Sequence, residues 1–256
     1  MKIWERNAAN LAASLSFYGP AEARAGVNLI TSPVAFSVFN IALIADPVAE
    51  MEGEMERRIQ LANAHYRGIQ RDWSFWLCED YLGPRNARRL HRIFESHDME
   101  CIAESPGMET PDLAPLRRRL PALSYRRVND ATTRRDFASL VTACFHIPPP
   151  ISQEVYEPED RWRGPLEVWL GYEGSCAVTS TALMEAAGVL GIYSVATLPA
   201  WRGRGMAEAI MRHAVADKRL RGVTAPLVLQ SSPGGMELYK RLGFKRTTRF
   251  FVFATC

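Results

Sequence analysis

Residues 194–210 read Ser-Val-Ala-Thr-Leu-Pro-Ala-Trp-Arg-Gly-Arg-Gly-Met-Ala-Glu-Ala-Ile and carry the most informative pattern in this 256-residue chain. The composition predicts a strand from Val189 to Leu198 and an amphipathic helix from Gly203 to Leu220. The glycines between them let backbone N–H groups approach a ligand closely, and a helix N-terminus attracts anions. Because Arg202 and Arg204 add positive charge, the stretch predicts a phosphate or diphosphate site.

Two common phosphate-binding motifs do not fit this loop. The chain has no G-x-x-x-x-G-K-[ST] string, and G-x-G-x-x-G fails because Glu208 stands where the third glycine is required. The string that fits is [RQ]-x-x-G-x-[GA], written here as Arg202-Gly-Arg-Gly205-Met-Ala207. It resembles the acetyl-CoA loop of the GNAT acetyltransferase superfamily. The later string Leu229-Gln-Ser-Ser-Pro-Gly-Gly-Met-Glu-Leu-Tyr-Lys-Arg-Leu-Gly-Phe244 resembles the superfamily's strand and helix ending in L-Y-x-x-L-G-F.

The resemblance covers residues 122–256 and implies an α/β (α+β) fold with a mixed, mostly antiparallel sheet flanked by helices. It implies that acetyl-CoA is a co-substrate whose pantetheine arm pairs with the strand before the loop, like an added strand. The diphosphate would lie on the loop itself. For Ser231, a role in forming the turn stays open. The implied cofactor-binding residues are Val195, Ala196, Thr197, Arg202, Gly203, Arg204, Gly205, Met206, Ala207, Glu208 and Ser231.

Tyr239 is the candidate catalytic residue. The resemblance implies a tyrosine that donates to the sulfur of the departing CoA thiolate, and a phenol with a pKa near 10 is protonated at neutral pH. The alternative is a packed helix tyrosine with its hydroxyl at the surface. The implied reaction is acetyl transfer to a primary amine by direct attack. Cys176 has no identified base partner, so we assign it to packing.

The general base is not identified by the sequence. The strand segment Gly191–Ser194 contains no acid, and an amine must lose a proton before it attacks. Glu185 or Glu173 acting through water remains a candidate, as does a water positioned by Ser194 or Tyr193. A solvated role for the two glutamates is the alternative.

An acidic cluster between Ile151 and Trp162 is a candidate binding surface for a cationic amine, beside Tyr156. The alternative is a solvated face. Trp162 and Trp169 are assigned to packing. The cluster consists of Glu154, Glu157, Glu159 and Asp160.

A proline-rich connector from Glu104 to Ala122 divides the chain, since proline interrupts both helices and strands. We predict a degenerate GNAT-like domain at residues 1–118 and a catalytic acetyltransferase domain at residues 119–256.

The two halves show a repeated pattern. Phe39–Ile41 aligns with Ile192–Ser194 at the offset that also aligns Ser74–Glu79 with Leu227–Ser232, which predicts two tandem halves from a duplication. The first-half loop Ala45–Glu54 is acidic and has no Gly-x-Gly and no arginine. Negative side chains there repel a diphosphate, so we predict that this half does not bind acetyl-CoA.

Composition argues against several classes of protein. The 31 basic and 28 acidic residues give a net charge of +3, too small to favour a nucleic-acid partner. No stretch resembles a transmembrane helix or a signal peptide, so no membrane partner is expected. The histidine and cysteine spacings predict no metal site. An odd number of cysteines without a C-x-x-C pair predicts reduced thiols in the cytoplasm: Cys78, Cys101, Cys144, Cys176 and Cys256.

The predicted partner is therefore a small-molecule or peptide amine, and the choice between a monomer and a homodimer stays open. One alternative is a non-catalytic acyl-CoA-binding regulatory protein, which the missing strand carboxylate favours. Another is a transferase with a larger acyl donor, such as an aminoacyl-tRNA, which the small net charge disfavours.

Overall fold

The structure is a computed structural model that describes residues 1–255. Cys256, one of the predicted thiols, lies outside the described residues. The helices are α1 (Ile3–Leu15), α2 (Glu54–Gly68), α3 (Pro84–Glu95), α4 (Ala131–Phe145), α5 (Pro149–Tyr156), α6 (Met206–Leu220) and α7 (Met236–Arg241). The strands are β1 (Ala21–Arg24), β2 (Val27–Ile30), β3 (Ile41–Ile44), β4 (Ser74–Cys78), β5 (Met99–Thr110), β6 (Ser124–Arg127), β7 (Glu167–Glu173), β8 (Cys176–Ala186), β9 (Val189–Thr197), β10 (Leu227–Gln230) and β11 (Lys245–Thr255).

The chain divides into two compact units whose limits differ from the predicted boundary at residues 118 and 119. The connector residues before 119 pack in the second unit, where the Ala114 N–H donates to Leu242 O at 2.9 Å. The last strand, β11, pairs with β4 of the first unit. The first unit comprises Met1–Met108, Gln230–Gly234 and the segment that begins at Arg246, and the second comprises Glu109–Leu229 and Gly235–Lys245.

The strands of the first unit lie in the order β1-β2-β3-β4-β11-β5. The β3–β4 pair is parallel, whereas β1–β2, β2–β3 and β4–β11 are antiparallel. Phe253 of β11 stacks on Phe94 of α3 with ring centroids 3.7 Å apart, and Phe75 of β4 is buried in the same core. The C-terminal strand therefore completes the core of the first unit.

In the first unit, the main-chain segments that follow β3 and β4 pair with each other, so they leave no gap between the ends of these two strands. Val48 and Leu82 form a parallel β-bridge, and the Val48 N–H donates to Tyr81 O at 2.8 Å. The Glu50 carboxylate accepts from the Arg85 N–H, in the first turn of α3, at 3.1 and 3.2 Å. The N–H groups of Val48 and Arg85 therefore already have partners within the unit. This closure supports the expectation that the first half does not bind acetyl-CoA, which stays a prediction.

The strands of the second unit lie in the order β10-β9-β8-β7-β6. The β7–β8 and β8–β9 pairs are antiparallel and β9–β10 is parallel, the same succession as β1 to β4. A mixed, mostly antiparallel sheet flanked by helices confirms the predicted fold class. The single offset proposed for the repeat does not hold. Ile41 pairs with Ser74, 33 residues further on, whereas Leu190 pairs with Leu227, 37 residues further on.

The predicted extent of the proline-rich connector also differs from the structure. The first part of the proline-rich connector continues β5, in which Pro106 O accepts from the Ser231 N–H at 2.9 Å. Proline lacks only a donor, so its carbonyl still serves the sheet.

Within residues 1–255, none of the helices is both long and apolar enough to cross a bilayer. The same residues contain no cluster of three or more His, Cys, Asp or Glu side chains placed to hold a metal ion.

Glu167 of β7 is the centre of an ion-pair network with α6. Its carboxylate lies 2.8 Å from Lys218 Nζ and 2.6 Å from Arg221 Nη2. Burial alone would raise its pKa, but the hydrogen bonds from Arg221 and Lys218 outweigh burial and lower it to about 2. A carboxyl group with a lowered folded-state pKa stabilises the fold above its ordinary pKa, and this contribution fades as the pH falls.

We expect Glu167→Gln to lower the melting temperature at pH 7 and to flatten the loss of stability between pH 4.5 and about pH 2. Thermal unfolding across that pH range measures both effects. The matched control is Glu237→Gln, because Glu237 is 74% exposed and pairs only with Lys240 at the surface. Equal pH profiles for the two variants would contradict the stabilising role of Glu167.

Candidate functional site

The first feature of the site is a bulge in β9. Ala196 lies opposite Ser180 and Tyr193 lies opposite Ala182, so β9 carries one extra residue relative to β8. Within the bulge, Ser194 has a φ of 46°, in the left-handed region that non-glycine residues rarely adopt. Such strain persists only where the surroundings support it, and it is common at functional sites.

Two buried hydroxyl groups of β8 hold this bulge. Ser180 Oγ donates to Ser194 O at 2.8 Å, and Thr179 Oγ1 donates to Ala196 O at 2.7 Å. Both side chains are fully buried. The sequence alone does not mark these two residues, because Thr-Ser-Thr in a strand has no feature that distinguishes a bulge support from ordinary packing.

Beyond the bulge, β9 lacks a neighbour on one side. Its pairing with β10 ends at Gly191 and Val228, whereas β9 itself continues to Thr197. In the described part of the chain, the backbone at Val195 and Ala196 therefore has no β10 partner. An extended ligand can pair with such an edge through main-chain hydrogen bonds.

The loop after β9 leads directly into α6 through two left-handed glycines. Gly203 has a φ of 76° and Gly205 a φ of 89°, a conformation that favours glycine. The helical hydrogen bonds begin with the Ala209 N–H donating to Gly205 O at 3.0 Å. The N–H groups of residues 205–208 precede that first bond, so they are the orphan donors of the helix N-terminus.

A cavity of about 200 Å³ lies against this loop. It brings together seven of the predicted residues: Thr197, Arg202, Gly203, Gly205, Met206, Ala207 and Glu208. Four further lining residues were not predicted: Arg118, Trp201, Leu238 and Arg241. Three arginines and a helix N-terminus around one cavity favour an anionic ligand.

Two predicted residues are engaged elsewhere. The Arg204 guanidinium lies over the Trp201 ring, 4.9 Å from its centroid. Ser231 is fully buried, and its hydroxyl donates to Ser232 O at 2.8 Å while its N–H donates to Pro106 O. These contacts agree with the alternative that Ser231 helps to form the turn.

Glu208 lies in the first turn of α6 between two arginines. Its Oε2 lies 3.0 Å from Arg118 Nη2, and its Oε1 lies 2.9 Å from Arg212 Nε. The Arg212 Nη2 also donates to Ala114 O at 2.8 Å. These bonds hold the segment before β6 against the start of α6.

Residues 166–246 match the family model described as Acetyltransferase (GNAT) domain. The matched stretch runs from the start of β7 through α7 and contains the bulge, the loop and most of the cavity wall. Over these residues the chain is similar to GNAT domains. The resemblance inferred from the two motifs is thereby confirmed.

Solved structures extend the likeness to the whole chain. A GCN5-related N-acetyltransferase from Kribbella flavida is 17% identical with a TM-score of 0.74, over 100% of this chain and 96% of that one. A GCN5-related N-acetyltransferase from Sphaerobacter thermophilus is 18% identical with a TM-score of 0.57, over 84% and 71%. A functionally unknown conserved protein from Staphylococcus epidermidis is 11% identical with a TM-score of 0.61, over 91% and 92%.

These likenesses show that the chain has the GNAT fold. The search of curated proteins gave no match.

Tyr239 belongs to helix α7 and is 8% exposed. Its ring packs edge-on against Phe244 with centroids 5.9 Å apart. Burial raises the pKa of its hydroxyl to about 12, and the hydroxyl has no hydrogen-bond partner among residues 1–255. Leu238 and Arg241 of the same helix line the cavity, whereas Tyr239 is not among its lining residues.

The two candidate glutamate bases lie away from the bulge in β9. Glu185 pairs with Leu190, four residues before Ser194, which is about 13 Å along a strand. Glu173 lies at the β7–β8 turn, opposite Cys176. Neither glutamate is therefore placed beside the strained residue.

The acidic segment around α5 contains two kinds of residue. Tyr156 is buried and packs edge-on against Phe137, so it does not rim a binding surface. Glu154 and Asp160 are exposed, and Glu159 lies 3.7 Å from Arg134. This arrangement agrees with the alternative of a solvated face.

The contacts of the two tryptophans fit their assignment to packing. Trp162 donates to Tyr156 O at 2.8 Å, and Trp169 packs edge-on against His213.

Proposed function

We propose that the protein is an N-acetyltransferase that moves the acetyl group of acetyl-CoA to a primary amine of a small molecule or peptide by direct attack. One observation carries the proposal: the bulged, one-sided end of β9 runs into a left-handed glycine turn at the start of α6, beside a cavity lined by arginines. The open strand edge can bind an extended ligand arm through main-chain hydrogen bonds, and the adjacent helix N-terminus can bind an anionic group of the same ligand.

The residues of the cavity fit the diphosphate of CoA. A Cβ at Gly203 would meet nothing within 4 Å, so the turn is open on that side. The orphan N–H groups of residues 205–208 supply donors, and Arg202 supplies charge while its Nε donates to Thr197 O at 3.1 Å. The β10 side of the backbone at Val195, beyond the last β9–β10 pair, is open to the amide groups of the pantetheine arm.

The proposed reaction balances without a covalent enzyme intermediate. The amine nitrogen forms the C–N bond with the acetyl carbon, the C–S bond breaks, and the sulfur leaves as a thiolate. An ammonium acceptor loses one proton to solvent water before the attack, and the nitrogen loses a second as the amide forms. Tyr239, with its pKa near 12, stays protonated and donates a hydrogen bond to the leaving sulfur.

Two further features complete the proposal. The shared strand succession and the closed gap in the first unit support a degenerate tandem copy that does not bind acetyl-CoA. The free thiols of Cys78, Cys101, Cys144 and Cys176 support a reducing, cytoplasmic setting.

Release of CoA thiol tests the proposal. The full chain is mixed with acetyl-CoA and a panel of amines, including spermidine, a lysine-containing peptide and small aminoalkanes, and free thiol and the N-acetyl product are measured together. We expect stoichiometric thiol and acetamide for at least one amine. CoA binding with no turnover for any amine would point instead to the non-catalytic regulatory alternative.

A further inference from the structure

We propose that Arg118 is a ligand for the diphosphate of CoA. The proposal rests on the proposed function and deepens it, because it adds a side chain from outside the loop to a site otherwise built mainly of main chain. Arg118 lines the same cavity as Gly205 and Ala207. A Cβ built on Gly205 would lie 3.3 Å from Arg118 Nη2, so the guanidinium lies beside the turn that opens α6.

The guanidinium is held in place but keeps free donors. Arg118 Nε and Nη2 donate to Glu208 Oε2 at 3.2 and 3.0 Å. An arginine carries five N–H donors, and these bonds use two of them. The other three have no acceptor within residues 1–255. Since the side chain is 46% exposed, a ligand entering the cavity can reach those donors.

Glu208 holds Arg118 without cancelling the positive charge of the site. Its side chain is 9% exposed and it also accepts from Arg212. Two guanidinium groups share one carboxylate, so a net charge of about +1 remains next to the helix N-terminus. The second bond of Arg212, to Ala114 O, fixes the backbone that leads to Arg118.

Geometry favours a phosphate group over other anions as the ligand of Arg118. A planar guanidinium presents paired N–H groups that match two oxygens of one phosphate. The orphan N–H groups at the start of α6 supply further donors to the same anion. Because Arg118 lies at the first turn, its contact is with the diphosphate and not with the 3′-phosphate of CoA.

Three adjacent arginines provide a matched test. Arg117, Arg118 and Arg119 are all exposed, but only Arg118 lines the cavity. Calorimetry on the full chain compares Arg118→Gln with Arg117→Gln and Arg119→Gln, using CoA and dephospho-CoA. We expect Arg118→Gln to weaken both ligands by about tenfold or more, the effect of losing charge-assisted hydrogen bonds. The two controls should stay within about twofold of the wild type.

Each other outcome overturns the proposal in a distinct way. Equal losses of affinity in all three variants would mean that Arg118 contributes only to the overall positive electrostatic potential and not through a direct contact. A loss confined to CoA would place Arg118 at the 3′-phosphate. If Arg118→Gln bound CoA and dephospho-CoA as tightly as the wild type, Arg118 would make no contact with the diphosphate. A wild-type chain that binds neither ligand would overturn the proposed function itself, and the ligand role of Arg118 with it.

Discussion

Gly205→Glu is expected to weaken CoA binding by at least about 100-fold while the chain still folds. Residue 205 has a φ of 89° and lines the cavity, so a carboxylate there lies where the diphosphate is proposed to bind. Placing like charges together costs several kcal/mol, and each 1.4 kcal/mol is a factor of ten in affinity. The new carboxylate would also pair with Arg118, whose Nη2 lies 3.3 Å from the Cβ position.

A control substitution at a second glycine distinguishes the effect of backbone strain from the effect of the new charge. Gly222, after the end of α6, has a φ of 87° and open space around its Cβ position. Gly222→Glu therefore introduces the same residue in the same strained conformation away from the cavity. We expect both variants to lose a similar amount of thermal stability, about 1–3 kcal/mol. If calorimetry found CoA bound equally by both, the loop would not be the diphosphate site.

Tyr239→Phe is expected to lower kcat by about 100-fold, the lower range for loss of a proton donor. The ring and its contact with Phe244 stay in place, so the KM for acetyl-CoA should change by less than about twofold. Steady-state rates of thiol release measure both quantities. Because the pKa of Tyr239 is raised to about 12, ionisation of this group should not reduce the wild-type rate below about pH 11.

Tyr172→Phe is the matched control for this substitution. Its hydroxyl donates to Asp136 Oδ2 at 2.6 Å, away from the loop, and burial raises its pKa as well. This variant should lose stability and keep the wild-type kcat. A wild-type kcat in Tyr239→Phe would assign protonation of the sulfur to water or to another group.

The site was predictable where its chemistry is local in sequence. The turn between β9 and α6 needs glycine at two left-handed positions, and Gly203 and Gly205 appear as such in the sequence. The fold followed from the same motif and from the string that ends at Phe244. The supports at Ser180 and Thr179 were not predictable, because their partners at Ser194 and Ala196 are more than a dozen residues away.

Long-range contacts explain the other differences. Arg118 reaches Glu208 across 90 residues, and no local pattern marks one arginine of three in a row. The N-terminal helix α1 and the hairpin of β1 and β2 were also missed. The exposed strand Ala21–Arg24 has no buried face to produce an alternating pattern.

The position of β11 in the first unit has a consequence for biosynthesis. Residues Ser74–Cys78 of β4 pair along one edge with Phe250–Ala254, which the ribosome adds only after the intervening residues 79–249 have been made. Domains usually fold as they emerge, N-terminal first. Here one edge of β4 stays without its native partner, and the ring of Phe94 without Phe253, until the residues of the second unit have been synthesised.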